Sequence, residues 1–111
     1  MMTTAMICTA AGENCICQDT EELRQILTGL GWDETAIEDL MDEGQDILDA
    51  ELVKEVPGAG LYECEHQRNT GYGRYVPVFI YYMAHEDGSV KFVEELDHKA
   101  GAEELDEMCQ R

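Results

Sequence analysis

Basic residues are scarce in this sequence. Only 7 Lys and Arg stand against 25 Asp and Glu among its 111 residues, which gives a formal net charge of -18 at pH 7. Proteins that bind DNA expose Lys and Arg to its phosphates, so this composition argues against direct binding of nucleic acid. A small domain needs a net charge of only about 2 to 8 in magnitude for solubility. We therefore expect the carboxylates to bind a basic protein partner.

Long apolar stretches are also missing. No segment approaches the roughly 18 to 20 consecutive apolar residues that a membrane-spanning helix needs. The apolar residues from Met1 to Ile7 lack the basic residues and the length of a signal peptide. The sequence thus predicts a cytoplasmic protein that does not bind membranes. Its 5 cysteines are expected to stay reduced or to bind metal rather than to form disulfides.

The motifs of common enzyme classes are absent as well. The sequence has no P-loop, no dinucleotide-binding fingerprint, no Gly-x-Ser-x-Gly motif and no EF-hand spacing. Two groups, His85-Glu86-Asp87 and Asp97-His98, combine histidine with carboxylates, but they fall in or beside predicted turns and have no partnered nucleophile. We predict that the protein is not an enzyme, and a small metal-dependent hydrolase is kept as a third hypothesis.

The length and an apolar fraction of 44% predict one globular domain over residues 1–111. Nothing in the sequence specifies an oligomeric state. Residues 1–18 surround a turn at Gly12 to Asn14 and fit a short hairpin or knuckle that contains cysteines. The other predicted parts are a helical acidic region at 19–56, a β-meander at 61–96 and a terminal helix at 102–110.

Helix signals are clear in the first half of the chain. Asp19 is a predicted N-cap with Glu22 completing a capping box, and Asp33 caps a second apolar stripe at helical spacing. Residues 46–56 fit either a third helix or an edge strand, and we favour the helix. After the break at Pro57 to Gly60, β-branched and aromatic residues predict strands. The expected fold class is α+β, with two or three N-terminal helices packed on a three-stranded antiparallel β-meander and a short C-terminal helix.

Carboxylates are concentrated between Asp33 and Glu55, where ten of them accompany a single basic residue. Glu34, Glu38 and Asp42 recur at every fourth position and so share one side of the predicted second helix. Like charges at this spacing destabilise an isolated helix by about 0.2 to 0.5 kcal/mol per pair, so local helix stability does not explain them. The predicted partner-binding carboxylates are Glu34, Glu38, Asp39, Asp42, Glu43, Asp46 and Asp49.

In its small size and its acidic stretches 33–55 and 102–110, the chain resembles the acidic inhibitors that phages and mobile elements carry against CRISPR effectors and restriction enzymes. The resemblance concerns charge and size, because the folds in that class differ widely. It implies an anti-CRISPR or DNA-mimic inhibitor that covers the nucleic-acid-binding surface of a nuclease and keeps the target DNA out.

Cysteine and histidine supply candidate metal ligands. Cys8, Cys15 and Cys17 lie near the start of the chain, and Cys64 and His66 follow at long range. These are five candidates, one more than tetrahedral zinc needs, and which four would bind is open. Zinc bound there would be structural, because four protein ligands leave no position for water. The alternative is a set of small buried thiols.

A second binding hypothesis concerns the polar segment 67–74, a predicted hairpin loop. Tyr72 and Tyr75 lie beside Arg68 and Arg74 in this region. Tyrosine and arginine often carry much of the energy of a protein interface, so Tyr72 and Tyr75 are predicted partner-binding residues. The alternative function is a zinc-stabilised adaptor that binds through this hairpin, and the alternative for the two tyrosines is a plain exposed loop.

Overall fold

The computed structural model describes residues 4–10, 14–43 and 46–110. The elements in chain order are β1 (Thr4–Cys8), β2 (Cys15–Cys17), α1 (Thr20–Gly29), α2 (Glu34–Glu43), β3 (Ile47–Val56), β4 (Ala59–Gly71), β5 (Arg74–His85), β6 (Val90–Leu96) and α3 (Ala102–Cys109). The strands form one sheet in the order β2-β1-β3-β4-β5-β6. Neighbouring strands are antiparallel, and the sheet curls into a half-barrel.

The predicted fold class is wrong. The described residues are mostly sheet, with six antiparallel strands and three short helices, rather than N-terminal helices on a three-stranded meander. The hairpin predicted within residues 1–18 does form, as β1 paired with β2, but β1 also pairs with β3 and so joins the main sheet. Of the predicted turn at Gly12 to Asn14, residues 12 and 13 lie outside the described residues.

Residues 47–56 form a strand rather than the third helix that we favoured. Leu48 and Ala50 pack on one face of the sheet, whereas Asp49 and Glu51 line a cleft on the other, which is the period-two pattern of a strand. β3 pairs with β1 on one side and with β4 on the other, so it is a central strand and not an edge strand. Its backbone hydrogen bonds therefore come from two other strands, β1 and β4, and this pairing outweighs the local helical pattern.

The two faces of the sheet are packed in different ways. On the face that we call the inner face, side chains from all six strands pack on one another because the sheet curls, and Ile7 and Cys64 are fully buried there. The opposite face, called the helical face, carries α1 and α2 over β1, β2 and the start of β3. The same face carries α3 over β3 to β6. All three helices therefore lie on one side of the molecule.

Polar caps fix where the first two helices begin. The Asp19 carboxylate accepts a hydrogen bond from Glu22 N at 2.8 Å, and the Glu22 carboxylate accepts one from Gln18 N at 2.9 Å. The Asp33 carboxylate accepts one from Ala36 N at 2.7 Å. Both predicted caps are thus confirmed. The apolar sides of α1 and α2 pack on the sheet through Leu23, Leu27, Ile37 and Leu40.

The terminal helix also lies close to its predicted range. Met108 is 1% exposed and packs with Leu61 and Tyr81 of the sheet. An ion pair between Lys54 and Asp106 joins β3 to the outer side of α3. Within the described ranges, no helix has the length and apolar character required to cross a lipid bilayer.

Candidate functional site

The predicted acidic helix is α2, and its carboxylates are exposed. The apolar side of α2 is buried, so the opposite side faces solvent. Glu34, Glu38 and Asp42 follow one another along it about 6 Å apart, since each helical residue adds about 1.5 Å, and Asp39 and Glu43 are exposed beside them. In the part of the chain that the structure describes, no Lys, Arg or His side chain forms an ion pair with these five carboxylates.

From Asp46 onwards the acidic run is not helical. Asp46 precedes β3, and its carbonyl oxygen accepts a hydrogen bond from Thr9 N at 2.9 Å. Asp49 lies within β3 on the helical face, opposite Met6 of β1. The predicted partner-binding carboxylates therefore fall on two surfaces, the outer side of α2 and the sheet.

A cleft of about 520 Å³ opens on the helical face. Gln18, just before α1, and Lys99, just before α3, line its two sides. Glu51 and Glu63 are directly opposite each other in the β3–β4 register, an arrangement in which like charges repel. Such a concentration of negative charge in a concave site favours binding of a cationic group. We call this site the acidic cleft, and its carboxylates are Asp49, Glu51, Glu63 and Glu65.

Glu63 is the one buried charged side chain among the described residues, with 7% of its surface exposed. Its Oε2 accepts a hydrogen bond from Tyr81 Oη at 2.7 Å, and Lys99 Nζ lies 3.4 Å from its Oε1. The Tyr81 hydroxyl also accepts a hydrogen bond from Ala100 N at 2.8 Å. Burial, together with the bond to Glu63, raises the pKa of Tyr81 far above its ordinary value, so the phenol stays a neutral donor. The network therefore holds the Glu63 carboxylate in place beside the Lys99 ammonium group.

The hairpin loop predicted at 67–74 is instead the end of two long strands. β4 and β5 remain paired as far as Gly71 and Arg74, which leaves Tyr72 and Gly73 as a two-residue turn. Every residue from 65 to 77 is exposed, and we call this projecting segment the arm. Tyr72 is fully exposed and Tyr75 is 61% exposed. Both tyrosines are available at the surface, and their role in partner binding stays a prediction.

The five candidate metal ligands lie on both faces of the sheet. Cys8, Cys15 and Cys17 belong to the core under α1 and α2, and Cys8 faces Cys15 directly across the strands. Cys64 is buried on the inner face, and His66, two residues further along β4, is exposed on that same side. No three Cys, His, Asp or Glu side chains in the described ranges are grouped as metal ligands. Structural zinc stays a prediction.

The buried thiols are poor nucleophiles near neutral pH. Burial raises the pKa of Cys15 to about 11, with Cys8 beside it adding to the effect. Burial also raises the pKa of Cys17 and of Cys64 to about 12. Since the thiolate is the reactive form, these side chains behave as small core residues.

His98 joins the segment before α3 to the first turn of that helix. Its Nδ1 lies 2.8 Å from an Asp97 carboxylate oxygen, and its Nε2 lies 3.0 Å from Glu104 Oε2. The hydrogen bond to Asp97, followed by that to Glu104, raises the pKa of His98. All three side chains are at the surface, and the arrangement holds a helix start in place.

No protein-family model, no curated protein and no solved structure matches this chain.

The acidic cleft was not predicted from the sequence. The carboxylates at 49 and 51, and those at 63 and 65, are two residues apart in each case, which places each pair on one face of its strand. This spacing is the sequence feature from which each pair of carboxylates could have been placed on one face of a strand. Bringing the two pairs together depends on the β3–β4 register, in which Ala50 faces Cys64.

Proposed function

We propose that this protein is an acidic binding protein that blocks the nucleic-acid-binding surface of a nuclease, such as a CRISPR effector. The observation that carries the proposal is the exposed row of carboxylates on α2, to which no described cation is paired. The sequence has no Lys or Arg between Arg24 and Lys54, so this surface is negative over its whole length.

Helical geometry makes the row suitable for docking. The carboxylates are held on a helix that is capped at Asp33 and packed on the sheet, so little backbone order has to be gained on binding. Complementary charge speeds encounter with a groove of Lys and Arg and repels nucleic acid from the occupied surface. The acidic cleft is a second concentration of carboxylates, separate from α2, on the helical face.

The test is a competition assay with purified CRISPR effectors and restriction enzymes and a fluorescent target DNA. The protein is expected to displace DNA from its partner enzyme, with an affinity that falls as salt rises. A variant that carries Glu34→Gln, Glu38→Gln and Asp42→Asn is expected to lose this activity.

The matched control changes the net charge equally at a distance from α2, through Glu55→Gln, Glu86→Gln and Glu103→Gln. All three positions are exposed. We expect the control variant to keep most of its inhibition. Equal losses in both variants, or inhibition that does not depend on salt, would contradict docking through α2.

Substitutions in the arm distinguish the alternative function. If a Tyr72→Ala, Tyr75→Ala variant loses partner binding while the α2 variant keeps it, the protein acts as an adaptor through the hairpin. The exposure of both tyrosines is the observation that favours this alternative.

A further inference from the structure

A second cavity, of about 320 Å³, opens on the helical face at the end of the sheet that lies farthest from the arm. The β3–β4 turn and the β5–β6 turn lie side by side there, joined by a hydrogen bond of 3.0 Å from Glu86 N to the carbonyl oxygen of Gly58. Met108 and Cys109, the last residues of α3, form the opposite wall. We call this cavity the terminal pocket.

The floor of the terminal pocket is apolar. Ala59 and Met83 of the sheet are buried there, and Met108 packs on them from α3. Burial raises the pKa of Cys109, so its thiol stays neutral and adds to the apolar lining. Small-molecule sites are mostly apolar cavities of about 300 to 1,000 Å³ with a few polar groups. The terminal pocket is at the small end of this range, and at about 30 Å³ for each water-sized group it holds roughly ten non-hydrogen atoms.

Two basic side chains lie at the pocket together with this apolar floor. His85 faces Ala59 across the β4–β5 register, and Lys91 faces Met83 across the β5–β6 register, so both lie on the same face as the floor. The sequence contains 25 Asp and Glu, yet none of those in the described ranges lines the terminal pocket. An apolar cavity with basic groups and no acidic ones favours an anion that has an apolar part.

Asp87, in the turn between β5 and β6, is bonded to Ser89. Its Oδ1 accepts hydrogen bonds from Ser89 Oγ at 2.7 Å and from Ser89 N at 2.9 Å. These bonds lower the pKa of Asp87, and His85 and Lys91 nearby lower it further. The surroundings of the two basic side chains therefore stabilise a carboxylate, and Lys91 is exposed enough to reach a second one.

The C-terminal end of a helix carries partial negative charge, which disfavours an anion beside it. The end of α3 lies on the side of β3, because Asp106 pairs with Lys54 of that strand. Lys91 belongs to β6, three strands away, which is about 14 Å at 4.8 Å per strand. A charged group beside Lys91 is therefore separated from the end of α3, and an apolar tail can lie under that end.

We infer that the terminal pocket binds a small amphipathic carboxylate whose charged group lies beside Lys91 and His85. Its alkyl chain, of about eight carbons, lies against Met83 and Met108. The Lys91 ammonium group forms an ion pair with the carboxylate, and a ring N–H of His85 donates a hydrogen bond to it. A pocket for roughly ten atoms is too small for a peptide strand, so the ligand is a free small molecule. The inference does not depend on α2, so it holds or fails separately from the proposed inhibition.

Methyl NMR of the full chain, labelled at methionine and titrated with sodium octanoate, tests this inference. Octanoate should shift the Met83 and Met108 signals in a saturable manner. The signals of Met6 and Met41, which pack under α1 and α2, are the internal control and should not move. Equal shifts of all four signals, or none at Met83 and Met108, overturn the inference. If the Met83 and Met108 signals shift with protein concentration alone, a second copy covers the pocket and the inference is also overturned.

The charge of the ligand is tested with octylamine, which has the same alkyl chain and the opposite charge. The net charge of -18 attracts octylamine to the surface as a whole, so a preference for octanoate would come from the pocket itself. Octanoate should bind at least about fivefold more tightly, since its charged group meets Lys91. Equal or tighter binding of octylamine contradicts the assignment of an anion.

Variants locate the site within the pocket. Lys91→Gln should weaken octanoate binding by at least about fivefold, because it removes a charged contact. Arg24→Gln, at an exposed position on α1, removes the same charge elsewhere and should leave the affinity unchanged. Ala59→Leu fills the floor and should abolish binding, with unchanged Met6 and Met41 signals showing that the fold is kept. Octanoate binding that survives both Lys91→Gln and Ala59→Leu overturns the inference.

Discussion

The buried Glu63–Tyr81 pair allows a quantitative prediction for Tyr81→Phe. The substitution removes one hydroxyl and keeps the ring, so the apolar packing beneath α3 is preserved. Two hydrogen bonds are lost, the one to the Glu63 carboxylate at 2.7 Å and the one from Ala100 N at 2.8 Å. The variant therefore tests the polar network separately from the core.

The expected loss of stability follows from the type of hydrogen bond that the substitution removes. A hydrogen bond to a charged group contributes about 1.5 to 3 kcal/mol, and leaving a buried partner without a bond costs about 1 to 3 kcal/mol. Lys99 remains near Glu63 and water can enter the open cleft, so part of this cost is recovered. We expect Tyr81→Phe to lower the free energy of unfolding by about 2 kcal/mol, which moves a urea midpoint by roughly 1 M.

Urea unfolding followed by circular dichroism measures this change. Tyr75→Phe is the matched control, because it removes a hydroxyl from a tyrosine that is 61% exposed, and it should alter stability by less than about 0.5 kcal/mol. In a double-mutant cycle, Tyr81→Phe should cost less when Glu63 is already replaced by Gln. Equal effects of the two tyrosine variants, or strict additivity in the cycle, would refute the proposed network.

Three further predictions concern packing, pH and reactivity. Leu27→Ala should destabilise the fold by about 2 to 5 kcal/mol in urea unfolding, because the Leu27 side chain is fully buried. Leu30→Ala is the control: Leu30 is 57% exposed, so this substitution should change stability by less than about 0.5 kcal/mol. Similar losses in the two variants would contradict the packing of α1. Asp97 raises the pKa of His98, so the stabilising effect of this histidine is complete below its unfolded pKa of 6.5 and disappears as pH rises through the higher folded value. The stability difference between wild type and His98→Gln should therefore shrink as pH rises from about 5.5 to about 8.5, and a constant difference would contradict the contact. Cys17 should resist alkylation in the native protein at neutral pH, because the thiol is buried and its pKa is raised, and it should react after unfolding. Mass spectrometry measures the extent of alkylation, and rapid labelling of the native protein would contradict the burial of Cys17.

Local patterns determined the helices. Asp19 and Asp33 were recognisable as caps because a carboxylate three residues before a free backbone N–H can satisfy it without any tertiary contact. The exposed row Glu34, Glu38 and Asp42 followed from the 3.6-residue period of the helix alone. Such features depend on neighbours within one or two turns, and these neighbours are present in the sequence itself.

The segment 46–56 shows where local patterns are insufficient. Its apolar residues fit a helix as well as a strand, and periodicity does not separate the two in so short a run. The decision came from β1 and β4, whose backbone groups pair with β3 on both sides. Without knowledge of those partners, the predicted sheet had three strands rather than six and its inner face was not foreseen.

The sequence alone determines the net negative charge and its concentration around α2. Counting carboxylates and applying the helical period require no knowledge of tertiary contacts. Only the tertiary structure decided that Glu51 and Glu63 meet in a cleft, that Cys64 lies on the opposite face from Cys8, and that the arm projects beyond the sheet. Each of these depends on strand register, and a shift of one residue would exchange the two faces of a strand. Register is set by where each turn closes and by the packing of the sheet, neither of which the pattern of residue types specified.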